Sequence, residues 1–235
     1  MVFVLVPLLS ACGRTSSLAP LKITGFELKA HDPALLGAWY EAYLGLTPIG
    51  EAQELMLTGK GLHVTIKPAL PASQPPRQSR SPGFFKIGFS TNQLDSLFDT
   101  LKARGNDFRG DIYFDNSLQT RSFIALDPEG NRVQFFEDSQ AVSITPYFFS
   151  FMALDFDNTL AWCETALCFT ETANLDLPDR GLSIRLLEKD HVLLELIGDA
   201  NMKNATTAPT GIGSVTLNRT GKRMGDNPLI FNSAD

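Results

Sequence analysis

The sequence predicts an α+β fold assembled from repeated β-α-β-β-β modules. Apolar residues alternate at period two, then take helical spacing, then alternate again, and this order restarts twice along the chain. The third occurrence repeats the first residue by residue at an offset of 123: Phe26 meets Phe149, Ala30 Ala153, Asp32 Asp155, Ala38 Ala161, Trp39 Trp162, Glu41 Glu164 and Leu44 Leu167. The only two tryptophans of the chain thus fall in register. A third sign is Asp127-Pro128-Glu129-Gly130-Asn131 between two apolar runs, the punctuation of a tight turn, with Pro128 presetting φ and Gly130 free to take φ > 0.

In the first module Leu21 to Ala30 alternates as a half-buried strand, with Phe26, Leu28 and Ala30 on one face and Gly25, Glu27 and Lys29 on the other. Asp32 and Pro33 supply an N-cap and a first helical position, and Gly45 closes the helix that carries Leu35, Leu36, Trp39, Tyr40, Tyr43 and Leu44. Glu54 to Leu57 and Leu62 to Lys67 read as a hairpin across Thr58 to Gly61. Residues 69–83, rich in Pro, Ser, Gln and Arg, read as a linker. The second module has a strand at Phe84 to Thr91, a helix at Leu94 to Arg104, and strands near Phe108 to Phe114, Phe123 to Leu126 and Arg132 to Phe136. The third, after Ala141, continues through strands at Leu182 to Leu187 and Val192 to Ile197, and Gly211 to Leu217 resembles the first strand of a fourth.

Of 235 residues 43% are apolar and 20% charged, the composition of a globular chain with room for a core. The net charge of −6 argues against a nucleic-acid partner. Met1 to Ala11 is an apolar run too short to span a bilayer, and Leu9-Ser10-Ala11-Cys12 resembles the lipobox of bacterial lipoproteins. Residues 1–20 are therefore expected to be a signal peptide and tether, cleaved before Cys12, with acyl chains on Cys12 anchoring the chain to the lipid bilayer. By resemblance to sorted lipoproteins, the neutral Gly13 after the Cys implies the outer membrane, facing the periplasm. No Lys or Arg precedes the run, so either the true start lies upstream or the run is a short buried strand. Cys163 and Cys168 are badly spaced for a mutual disulfide and read as small buried residues. Trp39 and Trp162 read as core packing, and His31 and His191 as surface residues.

Asp32 through Trp39-Tyr40 to Leu44-Gly45-Leu46, Leu94-Asp95 to Leu101-Lys102-Ala103-Arg104-Gly105, and the Asp127 to Asn131 hairpin with its following strand together resemble the vicinal oxygen chelate superfamily, which holds glyoxalases, bleomycin-resistance proteins and dioxygenases. The resemblance implies paired modules forming a curved mixed sheet around a cleft, with helices outside. Residues 21–140 would be a complete two-module domain and residues 141–235 a partial second one. Its unpaired third module is expected to pack on the first domain or on another chain, with homodimerisation the natural route.

The family's cleft normally holds a divalent metal on His and Glu from the first and last strands of modules. Carried over, those positions are Gly25, Thr65, Lys86, Gln134, Phe148 and Glu195, of which only Glu195 has the expected residue type. No metal cofactor is therefore expected, since chelation needs several donors converging on one point. If Gly25 and Gln134 face inward, alternation brings Glu27, Lys29, Arg132 and Phe136 with them, and Lys86, His63, Thr65 and Lys67 join on neighbouring strands. Glu27, Lys29, His63, Thr65, Lys67, Lys86, Arg132 and Gln134 are thus the candidate ligand-binding set, suited to a small anionic or aromatic molecule. The alternatives are a divergent metal-dependent lyase or dioxygenase of the glyoxalase type, and a structural module of the cell envelope.

Overall fold

The computed structural model describes residues 20–49, 55–59, 61–69, 82–202, 211–219 and 229–232. The expected signal and Cys12, Glu54, Lys60 and most of the expected linker lie outside the described residues. Among the described residues the fold is α+β, with three α-helices and two mixed sheets.

The first module runs β1 (Leu21–Ala30), α1 (Pro33–Leu44), β2 (Thr47–Ile49), β3 (Leu55–Gly59) and β4 (Leu62–Pro68). The second is β5 (Gly83–Thr91), α2 (Leu94–Ala103), β6 (Tyr113–Asp115), β7 (Thr120–Leu126) and β8 (Arg132–Glu137). The third is β9 (Thr145–Ala153), α3 (Phe156–Thr165), β10 (Thr170–Leu177), β11 (Leu182–Lys189) and β12 (Val192–Asp199), followed by β13 (Gly211–Arg219) and β14 (Leu229–Asn232). The expected strand near Phe108 to Phe114 is shorter: Phe108 makes an isolated bridge to Ala125, and only β6 extends.

Local chemistry sets the element ends. Asp32 Oδ1 accepts the Leu35 amide at 2.9 Å, and Gly45 takes φ 66° to close α1. Asp155 caps α3 in the same way through the Asn158 amide at 3.2 Å, so the sequence repeat preserves a cap as well as a pattern.

The modules pair across the sequence order. β1 lies between β4 and β13, in a six-stranded sheet ordered β14-β13-β1-β4-β3-β2. The second and third modules share an eight-stranded sheet, β10-β11-β12-β9-β5-β8-β7-β6, joined by the antiparallel β5–β9 pair. The boundary expected at residue 140 therefore falls inside one sheet. The first and second modules do not share a cleft. The third module, expected to pack on the first domain or on another chain, has its first strand paired to the second module.

Period-two alternation sorts the eight-stranded sheet cleanly. Ile87, Phe89, Val133, Phe135, Phe149, Leu194 and Leu196 enter a core cluster that also takes Phe26, Leu28, Val64 and Ile66 from the other sheet. Phe26 meets Phe89 edge-on at 6.0 Å, joining the two. Lys86, Gly88, Gln134, Phe136, Phe148, Ser150, Leu193 and Glu195 fall on the opposite, curled-in face. Trp39 is buried in the core, its indole N–H donating to Asn106 at 2.6 Å, whereas its counterpart Trp162 is 46% exposed, against the expectation of core packing. Cys163 is free and buried, and its thiol is pushed up to about 12 by burial, with Glu164 adding to it. Cys168, read as a small buried residue, is half-buried and takes φ 60° just after α3.

The Asp127 to Asn131 turn is the joint between the first two modules. Glu129 accepts the backbone amides of His31 at 2.8 Å and Asp32 at 3.0 Å, and its other oxygen meets His31 Nδ1 at 2.9 Å. A carboxylate there faces the start of α1, where the free amides of a helix favour negative charge. His31, read as a surface residue, is exposed and is held there by Glu129. Asp127, 2% exposed, accepts from the Glu129 and Asn131 amides, Asn131 Nδ2 and the Tyr40 hydroxyl. Burial pushes its carboxyl up to about 6 despite these four bonds.

Candidate functional site

The curled face of the eight-stranded sheet encloses a cleft of about 330 Å³. Its base is built across four central strands. β9 carries Ser150, which stands beside Lys86 of β5 on one side and Glu195 of β12 on the other. Lys86 Nζ donates to both Glu195 oxygens, at 2.9 and 3.1 Å, and Ser150 Oγ donates to Oε2. The two charged side chains are only 11% and 15% exposed, so each depends on the other for its charge to be tolerated. The ammonium also lies 5.1 Å from the centre of the Phe148 ring.

Phe148 lies where it does because Gly88 has no side chain. A Cβ there would stand 2.8 Å from both Phe136 Cε2 and Phe148 Cδ1, two rings packed edge-on at 5.2 Å. Gly88→Ala is therefore expected to destabilise the protein by about 1–3 kcal/mol through overpacking. A urea midpoint unchanged by the substitution would contradict this packing.

Next to the ion pair, Gln134 of β8 is 1% exposed. Its Nε2 donates to Tyr113 Oη at 3.0 Å and Ser122 Oγ at 3.2 Å, while Oε1 has no partner. Burial raises the Tyr113 hydroxyl pKa, and the nearby Asp115 and Glu195 carboxylates add to the rise, so Tyr113 stays protonated at neutral pH. Phe148, Leu118, Ala173, Leu175, Ile184 and Leu186 give the cleft its apolar surface, with Asn116, Ser117 and Asn174 lining it beside them.

The residues expected in one site are divided between two places. Lys86 and Gln134 line this cleft. Arg132, on the same strand as Gln134, stacks on Phe85 at 4.0 Å, and its guanidinium pKa is lowered by burial and then by Arg109. Glu27, Lys29, His63, Thr65 and Lys67 sit on β1 and β4 of the other sheet, where Glu27 pairs with Lys29's neighbour in register, Lys67, at 2.9 Å. His63 is exposed and meets Thr58 Oγ1 at 3.2 Å. The imagined ring of cations thus separates: Lys29, Lys67 and His63 belong to another surface, and the cleft's charged lining is Lys86, Asp115 and Glu195.

Sequence reasoning missed Tyr113, Ser122 and Ser150, and the walls given by β10 and β11. Glu195 was the detectable one, a lone acid inside Leu193-Leu194-Glu195-Leu196, since a buried charge asks for a partner.

Four of the positions where the resemblance puts metal ligands, Lys86, Gln134, Phe148 and Glu195, do converge here. Their chemistry does not fit a divalent metal. They offer one carboxylate already held by an ammonium, one amide, one ring and one cation, fewer than the three protein donors of an ordinary site. Among the described residues no group of three His, Cys, Asp or Glu side chains gathers.

Comparison with known proteins agrees with this architecture. The sequence model of the Glyoxalase/Bleomycin resistance protein/Dioxygenase superfamily matches residues 25–135. Glyoxalase I from Zea mays superposes with a TM-score of 0.63 at 14% identity, over 84% of this chain and 74% of that one. A dioxygenase-like protein of Bacillus subtilis superposes at 0.61 with 11% identity, over 85% and 70%. At such identities these likenesses concern the fold. No curated protein sequence matches the chain significantly.

Proposed function

Since residues 25–135 carry a domain of the Glyoxalase/Bleomycin resistance protein/Dioxygenase superfamily, we propose that the chain keeps that fold as a binding cleft for a small molecule with an aromatic or apolar body, and works without a divalent metal. The observation that carries this reading is the Lys86–Glu195 pair at the point where the ligand positions of two modules converge. There the positive charge that a metal would bring is covalently part of the chain. Lys86 holds Glu195 aligned through both its oxygens, Ser150 adds a bond to one of them, and the apolar side chains of the cleft offer contact to the ligand's body. The anionic ligand class is weakened by the placement of Lys29, Lys67 and His63 on the other sheet, which leaves the aromatic class.

A thermal-shift screen with small aromatic compounds tests the reading. A true ligand at one hundred times its Kd is expected to add about 2.7 kcal/mol to stability. No stabilisation by any aromatic or anionic compound would favour a structural envelope module instead.

Anchoring belongs to the same proposal. The apolar run ending at Leu9-Ser10-Ala11-Cys12 supports lipidation of Cys12 and tethering to the outer membrane, facing the periplasm. Expressed with its own leader in a bacterium fed radiolabelled palmitate, the chain is expected to take up label and partition into detergent. Cys12→Ala is expected to abolish both, and label retained by that variant would contradict the anchor.

A further inference from the structure

Resting on the binding reading above, we infer that the cleft selects an uncharged hydrogen-bonding head group, of which a primary amide on a flat apolar body is the best fit, and discriminates against carboxylates. The charges at the base are already mutually satisfied: Lys86 gives bonds to both oxygens of Glu195, and Ser150 gives one more. A carboxylate ligand would have to draw Lys86 away, leaving Glu195 with Ser150 alone and bringing a second negative charge beside it. Asp115, at the mouth, adds to that repulsion. A cationic head meets the converse problem, because taking Glu195 strands the Lys86 ammonium with only the Phe148 and Phe85 rings near it.

Of the buried polar groups that line the cleft, the one left for a ligand is Gln134. One end of its buried amide is held by Tyr113 and Ser122, and the other has no partner. Hydroxyls donate or accept, so whichever way the amide is turned, the Tyr113 and Ser122 side is satisfied and the opposite end is left over. An unpaired buried group of this kind is costly to the fold, and a matching head group removes that penalty. A primary amide matches both orientations, giving N–H to a carbonyl oxygen or C=O to an N–H. The cleft's volume of about 330 Å³ suits a one- or two-ring body between Phe148, Leu186 and Leu175.

Isothermal titration of the full chain with benzamide, benzoate, benzamidinium and toluene tests this. Benzamide is expected to bind about ten-fold or more tighter than each of the two charged probes, the discrimination typical of a site with one buried polar group to satisfy. Gln134→Leu is expected to bring benzamide down to the affinity of toluene. Gln134→Met is the second variant should that one fold poorly. Benzoate equal to or tighter than benzamide overturns the inference, as does a benzamide preference that survives loss of Gln134. Binding of all four without preference overturns the inference and leaves the binding reading standing, whereas no binding by any of them removes both.

Discussion

Lys86→Met alone is expected to cost about 3 kcal/mol of stability, and Glu195→Leu alone a similar amount, because each leaves a desolvated charge without its counter-charge. The double variant is expected to recover most of the loss, since the cleft base then holds two apolar side chains of similar volume in place of an ion pair. Urea unfolding of the four proteins gives the cycle directly, and the coupling is expected to exceed about 2 kcal/mol. Singles that cost little, or that simply add, would mean that the two side chains are solvated and that the proposed internal replacement for a metal is a surface pair. The same double variant is expected to retain the fold while losing the polar base of the cleft, which separates stability from ligand recognition.

Asp127 is the second position of large expected effect. Asp127→Ala removes the acceptor for two backbone amides, Asn131 Nδ2 and the Tyr40 hydroxyl in a site closed to water, and is expected to cost about 3–4 kcal/mol. Its titration gives a second, sharper result. The folded carboxyl sits at about 6, above the ordinary 3.8, so between about pH 4 and pH 6 the folded state binds more protons than the unfolded one. Stability from this group is therefore largest below pH 4 and falls as pH rises through that window, by about 3 kcal/mol at most for a shift of about two units. Asp127→Asn is expected to remove that slope. Asp95 and Asp176, whose carboxyls are lowered chiefly by hydrogen bonds from Arg121 and Arg185, act with the opposite sign and at lower pH, so the difference between wild type and Asp127→Asn isolates the buried group. Identical pH profiles for the two proteins would contradict a buried, raised Asp127.

The Asp127 to Asn131 turn also shows how far the sequence could be read. Pro128 and Gly130 announced a hairpin, and its spacing from the helices marked the family, because turn chemistry and helix caps are local. Its second job could not be read. That Glu129 reaches back to the residues just before α1 depends on how two modules dock. The pairing of sheets escaped for the same reason. β1 and β5 are equivalent strands of equivalent modules, and nothing in their alternation distinguishes a partner in the next module from one in the module after. Both choices bury the same faces.

The candidate site inherited that ambiguity. Alternation placed Lys86 and Gln134 correctly on one face, but assigned them the neighbours of the wrong module: Glu27, Lys29, His63, Thr65 and Lys67 in place of Ser150 and Glu195. β10 was missed because Glu171, Asn174 and Asp176 make it polar on both faces, as suits an exposed edge strand with its outermost side unpaired. β2 is three residues long and carries no pattern.

The claim that the cleft works without a metal is tested most directly by metal content. The purified full chain, incubated with zinc, nickel, manganese or iron(II) and passed through a desalting column, is expected to retain well under about one-tenth of an equivalent of each by elemental analysis, because a site lacking three converging donors has no tight binding to offer. Retention of about one equivalent of any of these metals, lost on Glu195→Leu, would place a metal centre in the cleft and contradict the account.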